Sequence, residues 1–123
     1  MAVEPVNTQV GTGSFDEFVI AGYEVLTDNF KLASGQSVVK NQVLAQDANG
    51  KLIAYDEQAA SPANVAKFVA KEEVDATTGD KPIVAYVKCV GRKSKVVFGN
   101  TGSYEGAAYD DLRMRGIILH GTP

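Results

Sequence analysis

Short runs of alternating apolar and polar residues follow one another through most of the chain, and they predict strands more often than helices. Two of these runs, at residues 38–47 and 51–55, flank the turn sequence Asp-Ala-Asn-Gly at 47–50. Asn-Gly accepts the positive φ angles of a tight type I′ turn, so the pattern predicts a β-hairpin. The run at 81–90 is rich in β-branched and aromatic residues and predicts a central strand.

The rest of the chain predicts loops, short strands and one helix. Residues 56–64 predict a loop, and residues 65–70 form either a short strand or a helical turn. A turn is expected at 91–94, and a helix at 104–115 that ends at a glycine, followed by a last strand at 117–119. The pattern therefore indicates a mainly β fold with one short helix.

The first part of the chain differs from the rest. Residues 1–14 are sparse in apolar side chains and predict a flexible lead, and an apolar cluster follows at once. This cluster must dock on its own domain or on a partner. We expect an N-terminal arm at 1–26 and a body at 27–123, and a chain that lacks residues 1–20 should still fold. The candidate contact residues of the arm are Phe15, Phe18, Val19 and Tyr23.

Length and charge limit the function further. The 123 residues suffice for one domain, and the net charge of −3 gives no overall basic footprint for nucleic acid. Residues 1–30 hold five acidic side chains and no basic one, whereas four bases cluster at 88–95. That basic cluster is either a solvated turn or a docking patch for an acidic surface. No targeting segment or membrane helix is predicted.

Little in the sequence could carry out chemistry. Cys89 is the only cysteine and His120 the only histidine, so neither an internal disulfide nor a zinc site of the usual ligands is expected. A catalytic pair of these two residues is not expected either, because Cys89 lies in a strand pattern where cysteine acts as a small hydrophobe. We expect a binding module without catalytic residues, metal or cofactor, and not an enzyme.

Seven stretches occur in a characteristic order: Leu-Ala-Ser-Gly-Gln at 32–36, Val-Leu-Ala-Gln-Asp at 43–47, Gly-Lys-Leu at 50–52, Val-Asp-Ala-Thr at 74–77, the strand at 84–90, Gly-Ser-Tyr at 102–104 and Leu-Arg-Met-Arg-Gly-Ile at 112–117. Together they resemble the lambda-type phage head decoration, or capsid cement, family. The resemblance implies a compact β-tulip-like or small-barrel domain that forms a trimer on the outer surface of the expanded capsid and is assembled in the host cytoplasm. The trimer would bind the major capsid protein and stabilise the shell against internal DNA pressure.

The resemblance implies no direct contact with nucleic acid or membrane. Candidate trimer contacts are Tyr104, Tyr109 and Leu112, although these residues could equally belong to the core. An alternative function is a phage tail or adsorption module that recognises a host surface glycan. Such a module would need exposed aromatic side chains over a groove, and the chain contains no tryptophan.

Overall fold

Eight β-strands and one α-helix make up the part of the chain that the computed structural model describes, residues 17–98 and 106–122. The strands are β1 (Leu26–Leu32), β2 (Ser37–Val38), β3 (Val43–Gln46), β4 (Leu52–Ala54), β5 (Phe68–Ala70), β6 (Val74–Asp75), β7 (Lys81–Arg92) and β8 (Ile117–His120). The helix α1 spans Gly106–Arg115. The prediction of a mainly β fold with one short helix is confirmed.

Five of the strands close into a small barrel. Their order is β1-β4-β3-β5-β7, and β7 pairs again with β1 through an antiparallel ladder, which completes the ring. The β1–β4 pair is parallel, and the other pairs of the ring are antiparallel. Strand β8 lies outside the ring and extends the far end of β7 in parallel. The small-barrel prediction is confirmed.

The inside of the barrel is filled by one large side chain from each strand of the ring. Leu32, Leu44, Leu52, Phe68 and Ile83 are all 7% exposed or less and belong to one apolar cluster. Since adjacent residues of a strand point to opposite faces, their neighbours face outward. A closed barrel of this size leaves room for side chains only, so the interior is a packed core.

A second apolar cluster covers one side of the barrel from outside. Val43 and Val69 contribute to it from the outer faces of β3 and β5, next to the inward-facing Leu44 and Phe68. Helix α1 and strand β8 close over this side and add Leu112 and Ile117, both 0% exposed. The helix therefore stabilises the body by covering apolar strand residues that would otherwise face water.

The predicted hairpin is present, but its turn is of another type. Strands β3 and β4 are antiparallel, and Gly50 has a φ of +84°. Among the described residues, only Asn41 has a positive φ without being glycine, so Asn49 does not adopt the type I′ conformation. The Asp47 carboxylate instead accepts hydrogen bonds from the backbone N–H groups of Asn49 and Lys51, both at 2.9 Å. This side-chain bridge favours the turn over type I′.

Other local expectations hold with one exception. The open alternative at 65–70 is resolved as the short strand β5, and Gly116 ends the helix with a φ of +107°. The expected turn at 91–94 is wrong in its first half, because β7 continues through Arg92. A 3₁₀ turn at Lys93–Lys95 follows. Glycine within a strand often marks a close approach of another group.

Candidate functional site

The four predicted arm contacts lie in very different surroundings. Phe15 lies outside the described residues. Phe18 is buried at 2% exposure in the apolar cluster under helix α1, and Val19 is half-buried. Tyr23 is 60% exposed and is the only one of the three described contacts that presents a large free surface. The apolar cluster near the N-terminus thus docks in part on its own domain.

The Phe18 ring can pack against β7 because residue 91 is a glycine and has no side chain. A Cβ atom built on Gly91 would lie 2.5 Å from both Cε1 and Cζ of the Phe18 ring, which is closer than real contacts allow. The ring also packs against Tyr86, with 5.5 Å between ring centroids. Only glycine at position 91 lets the ring lie against the strand backbone.

Arg92, the next residue of β7, fixes the backbone around Phe18. Its N–H donates to the Phe18 carbonyl at 2.9 Å. Its Nη1 donates to the carbonyl of Glu17 at 2.7 Å and to that of Val19 at 3.3 Å. One residue thus binds three consecutive carbonyl oxygens. Hydrogen bonds from a charged donor are stronger than neutral ones.

We call the Phe18 ring on Gly91, together with the hydrogen bonds of Arg92, the clasp. A further backbone bond from Ile20 N to the Val90 carbonyl, at 2.9 Å, continues the same antiparallel contact. The signal that could have revealed the clasp is a glycine inside a strand pattern, which indicates close approach. The sequence does not say which aromatic ring comes to that glycine.

The basic cluster at 88–95 is largely engaged within the protein. The Lys88 ammonium pairs with the Glu24 carboxylate at 2.7 Å, and the Arg92 guanidinium binds the carbonyls of the clasp. The Lys93 ammonium lies 4.7 Å from the centroid of the Tyr109 ring. These contacts tie the acidic leading segment and the helix to β7 and its following turn.

An apolar groove lies beside the clasp on the outer face of β7 and β8. It encloses about 410 Å³ and is lined by Ile20, Tyr23, Val90, Ile118 and His120. Ile118 is 37% exposed, so the groove is open to water. Its floor and walls come from the same segments that the clasp joins.

Two of the three predicted trimer contacts lie among the described residues, one half-buried and one buried. Tyr104 lies outside the described residues. Tyr109 is half-buried and packs edge-on against Phe98, with 5.8 Å between ring centroids. Leu112 is 0% exposed in the cluster under the helix. Leu112 thus packs in the core of the single chain, and its part in a trimer contact stays a prediction.

The geometry does not bring Cys89 and His120 together. The ladder pairs Cys89 with Ile117, whereas His120 lies opposite Arg92 at the other end of β8. Cys89 is 1% exposed, and burial raises the pKa of its thiol to about 11. A reactive thiolate needs a lowered pKa and access, so Cys89 acts as a small apolar residue of the core.

No group of three or more His, Cys, Asp or Glu side chains in 17–98 and 106–122 could hold a metal ion. No helix in that same part of the chain has the length and apolar character needed to cross a membrane.

The family of the chain follows from a comparison with family models. The model for bacteriophage lambda head decoration protein D matches residues 16–117. The chain belongs to this head decoration family. The match begins one residue before Glu17 and covers the clasp, the five-stranded barrel, helix α1 and the start of β8.

Membership sets the coarse role of the chain. Head decoration proteins are structural components of the phage capsid, so the chain is a virion protein that binds the capsid, as its sequence predicted. A comparison with curated proteins finds no match.

Proposed function

We propose that this head decoration protein binds the outer surface of the expanded phage capsid as a trimer and stabilises the shell against internal DNA pressure. The family match over residues 16–117 is the observation that carries the proposal. The major capsid protein is the proposed partner, assembly takes place in the host cytoplasm, and no catalysis is involved.

The proposed capsid-contacting arm is the part of residues 1–26 that precedes the clasp, together with the exposed Tyr23. Phe15 would be its aromatic anchor, since large aromatic side chains dominate interface energetics. The backbone of the arm would add a strand to an open sheet edge of the capsid protein. Phe18 and Val19 would contribute indirectly, because they attach the arm to the body.

Three arms on one trimer explain how a short segment could bind firmly. Fixing the backbone of an arm costs about 1–2 kcal/mol per residue, so a single arm binds weakly. Once one arm is bound, the others bind in effect intramolecularly, which strengthens overall binding by roughly 10²–10⁴-fold. The trimer would thus link neighbouring capsid subunits at their common corner.

Co-sedimentation of the purified protein with procapsids and expanded capsids of the same phage tests the proposal. We expect saturable binding to expanded capsids only, with a stoichiometry of three copies per site and a raised temperature of capsid disruption. A chain that begins at residue 17 should retain its fold and lose this binding. This variant tests the arm alone, because it keeps Phe18 and every described strand.

Two results would contradict the proposal. If neither form of the capsid binds the protein, the capsid role as stated fails, and a glycan array tests the adsorption alternative. If the chain that begins at residue 17 binds as tightly as the full chain, the arm has no part in binding.

A further inference from the structure

The clasp lies at the junction between the arm and the body. The chain runs antiparallel to β7 here, with Val19 opposite Gly91 and Phe18 bonded to Arg92. Going back from Ile20 to Glu17, the backbone therefore follows β7 toward its C-terminal end. On the opposite edge of β7, strand β8 ends where His120 pairs with Arg92.

Two independent sets of contacts hold this junction. One is the fit of the Phe18 ring against the bare backbone of Gly91, in which a Cβ would lie 2.5 Å from the ring. The other is the set of three carbonyl oxygens bound by Arg92, on residues 17, 18 and 19. Glu17, the first residue after the arm, is exposed, yet its carbonyl accepts a hydrogen bond from Arg92 Nη1 at 2.7 Å.

The contacts exceed what the core requires. A phenylalanine could fill the space under the helix without a charged side chain on the neighbouring carbonyls. Among the described residues Arg92 pairs with no carboxylate, since the ion pairs there are Lys51–Asp80 and Lys88–Glu24. Its side chain does not belong to the core either. What its guanidinium does is fix the backbone at the first residues of the body.

We propose that Phe18, Gly91 and Arg92 are positioning residues for the arm: they fix the place and direction in which residues 1–16 leave the body. This inference rests on the proposed function of the arm. When the clasp is closed, residues 17–19 are ordered before the arm binds. They therefore add no entropy cost on binding, and the arm loses less conformational freedom.

The size of the effect follows from the number of residues released. Opening the clasp frees the backbone at 17, 18 and 19, so these residues must be ordered again when the arm binds. We expect capsid affinity to fall by at least about tenfold when the clasp is opened, with the sequence of the arm unchanged. Tenfold corresponds to about 1.4 kcal/mol.

The test uses a size swap across the contact. In Gly91→Ala the new methyl group takes the space of the Phe18 ring, which must leave. In the double variant Phe18→Leu with Gly91→Ala, the shorter leucine lacks the Cε and Cζ atoms that clash, so the contact re-forms. Binding to expanded capsids is measured at 20 °C by co-sedimentation, and chymotrypsin cleavage after Phe18 reports whether the clasp of Gly91→Ala is open.

We expect Gly91→Ala to be cleaved faster at Phe18 and to bind at least about tenfold more weakly. The double variant should recover most of the affinity. Ile83→Val is the matched control, because Ile83 is buried in the barrel away from the clasp cluster. It should lower the Tm and leave capsid affinity unchanged. Loss of affinity in both Gly91→Ala and Ile83→Val would show an effect of stability alone and overturn the inference.

A second variant covers the case in which Gly91→Ala fails to fold. Arg92→Met keeps the length of the side chain and removes its donors to the Glu17 and Val19 carbonyls. It should weaken binding at a temperature where circular dichroism shows a folded protein. If the Arg92→Met protein is folded and is cleaved faster after Phe18, but binds capsids with wild-type affinity, the inference is overturned.

The outcomes separate this inference from the proposed function. If the full chain binds no capsid, or the chain that begins at residue 17 binds equally well, the arm model fails and the inference with it. If the full chain binds, the chain from residue 17 does not, and an opened clasp changes nothing, the arm model stands and the clasp inference alone is overturned.

Discussion

At the scale of single residues, the missing side chain of Gly91 determines whether the Phe18 ring can pack against β7. A strand residue with a side chain at this position would exclude the Phe18 ring. The sequence shows a glycine in a strand pattern and an aromatic residue near the N-terminus. It does not show that they meet, because nothing local links positions so far apart.

Cys89 is a residue whose role could be predicted from its neighbours. It follows a run of strand-forming residues and is buried in the structure, so its thiol is neutral at ordinary pH. Burial raises its pKa from 9.0 to about 11. Burial also raises the pKa of the nearby Tyr86 hydroxyl above 10.0, with smaller contributions from Cys89 and Glu17.

These raised values predict a loss of stability in alkaline solution. Between pH 9 and 11 the thiol ionises in the unfolded chain before it ionises in the folded one, so the unfolded state binds fewer protons. The free energy of unfolding should therefore fall as the pH rises through this window. Below it, the Cys89 thiol should add no pH dependence. Urea denaturation at pH 8, 9, 10 and 11 measures the change.

Cys89→Ala provides the control for that measurement. It removes the titrating thiol, so its stability should fall less steeply above pH 9, with the remaining slope due to groups such as Tyr86. An identical pH dependence in the variant and the wild-type protein would be incompatible with a buried, neutral thiol.

At the scale of elements, local signals predicted more than long-range pairings. The β3–β4 hairpin, the long strand β7 and the end of α1 at Gly116 each rest on residues close together in the chain, and each is present. The turn type was missed because the Asp47 side chain, and not the Asn-Gly pair alone, sets the backbone.

Pairings between distant strands were beyond the sequence. The parallel contact of β8 with β7, and the closure of β1 onto β7, depend on which edges remain open once the other strands have paired. For the same reason a base-rich stretch at 88–95 could not be recognised as largely engaged. Its partners, Glu24, Tyr109 and the clasp carbonyls, come from the two ends of the chain.

Helix α1 gives a direct test of the core against the trimer interface. Leu112 is 0% exposed and Met114 is 87% exposed on the same helix. Leu112→Ala should lower the free energy of unfolding by about 2–5 kcal/mol, because it leaves a cavity under the helix. Met114→Ala should change it by less than about 0.5 kcal/mol.

Urea denaturation of both variants at two protein concentrations, tenfold apart, distinguishes the two roles. A core residue gives a loss that does not depend on concentration. A loss for Leu112→Ala that appears only in the dilute sample, together with a fall in trimer content, would assign Leu112 to the subunit interface instead.

At the scale of the whole molecule, the barrel and the clasp define where the body begins. The sequence placed the boundary of the arm at 26, and it predicted that a chain without residues 1–20 would fold unharmed. Phe18 is, however, part of the core, and β1 closes the ring. We therefore expect the smallest complete body among the described residues to start at residue 17.

A truncation series checks this boundary. A chain that begins at residue 17 should be as stable as the full chain. One that begins at 21 lacks Phe18 and should lose about 3–5 kcal/mol, the usual cost of removing a buried phenylalanine side chain. One that begins at 33 lacks β1 and should not fold. Circular dichroism and urea denaturation give the order, and equal stability of the chains from 17 and 21 would refute it.

The closure of β1 onto β7 also governs when the protein can fold during its synthesis. Strand β1 is complete at Leu32, but its antiparallel partner begins only at Lys81. At about 5–20 residues per second, the ribosome needs roughly 2–10 s to reach that partner. Until then β1 has an open edge that can pair with other chains. Chains released too early would therefore aggregate with one another instead of competing with complete copies for places on the capsid.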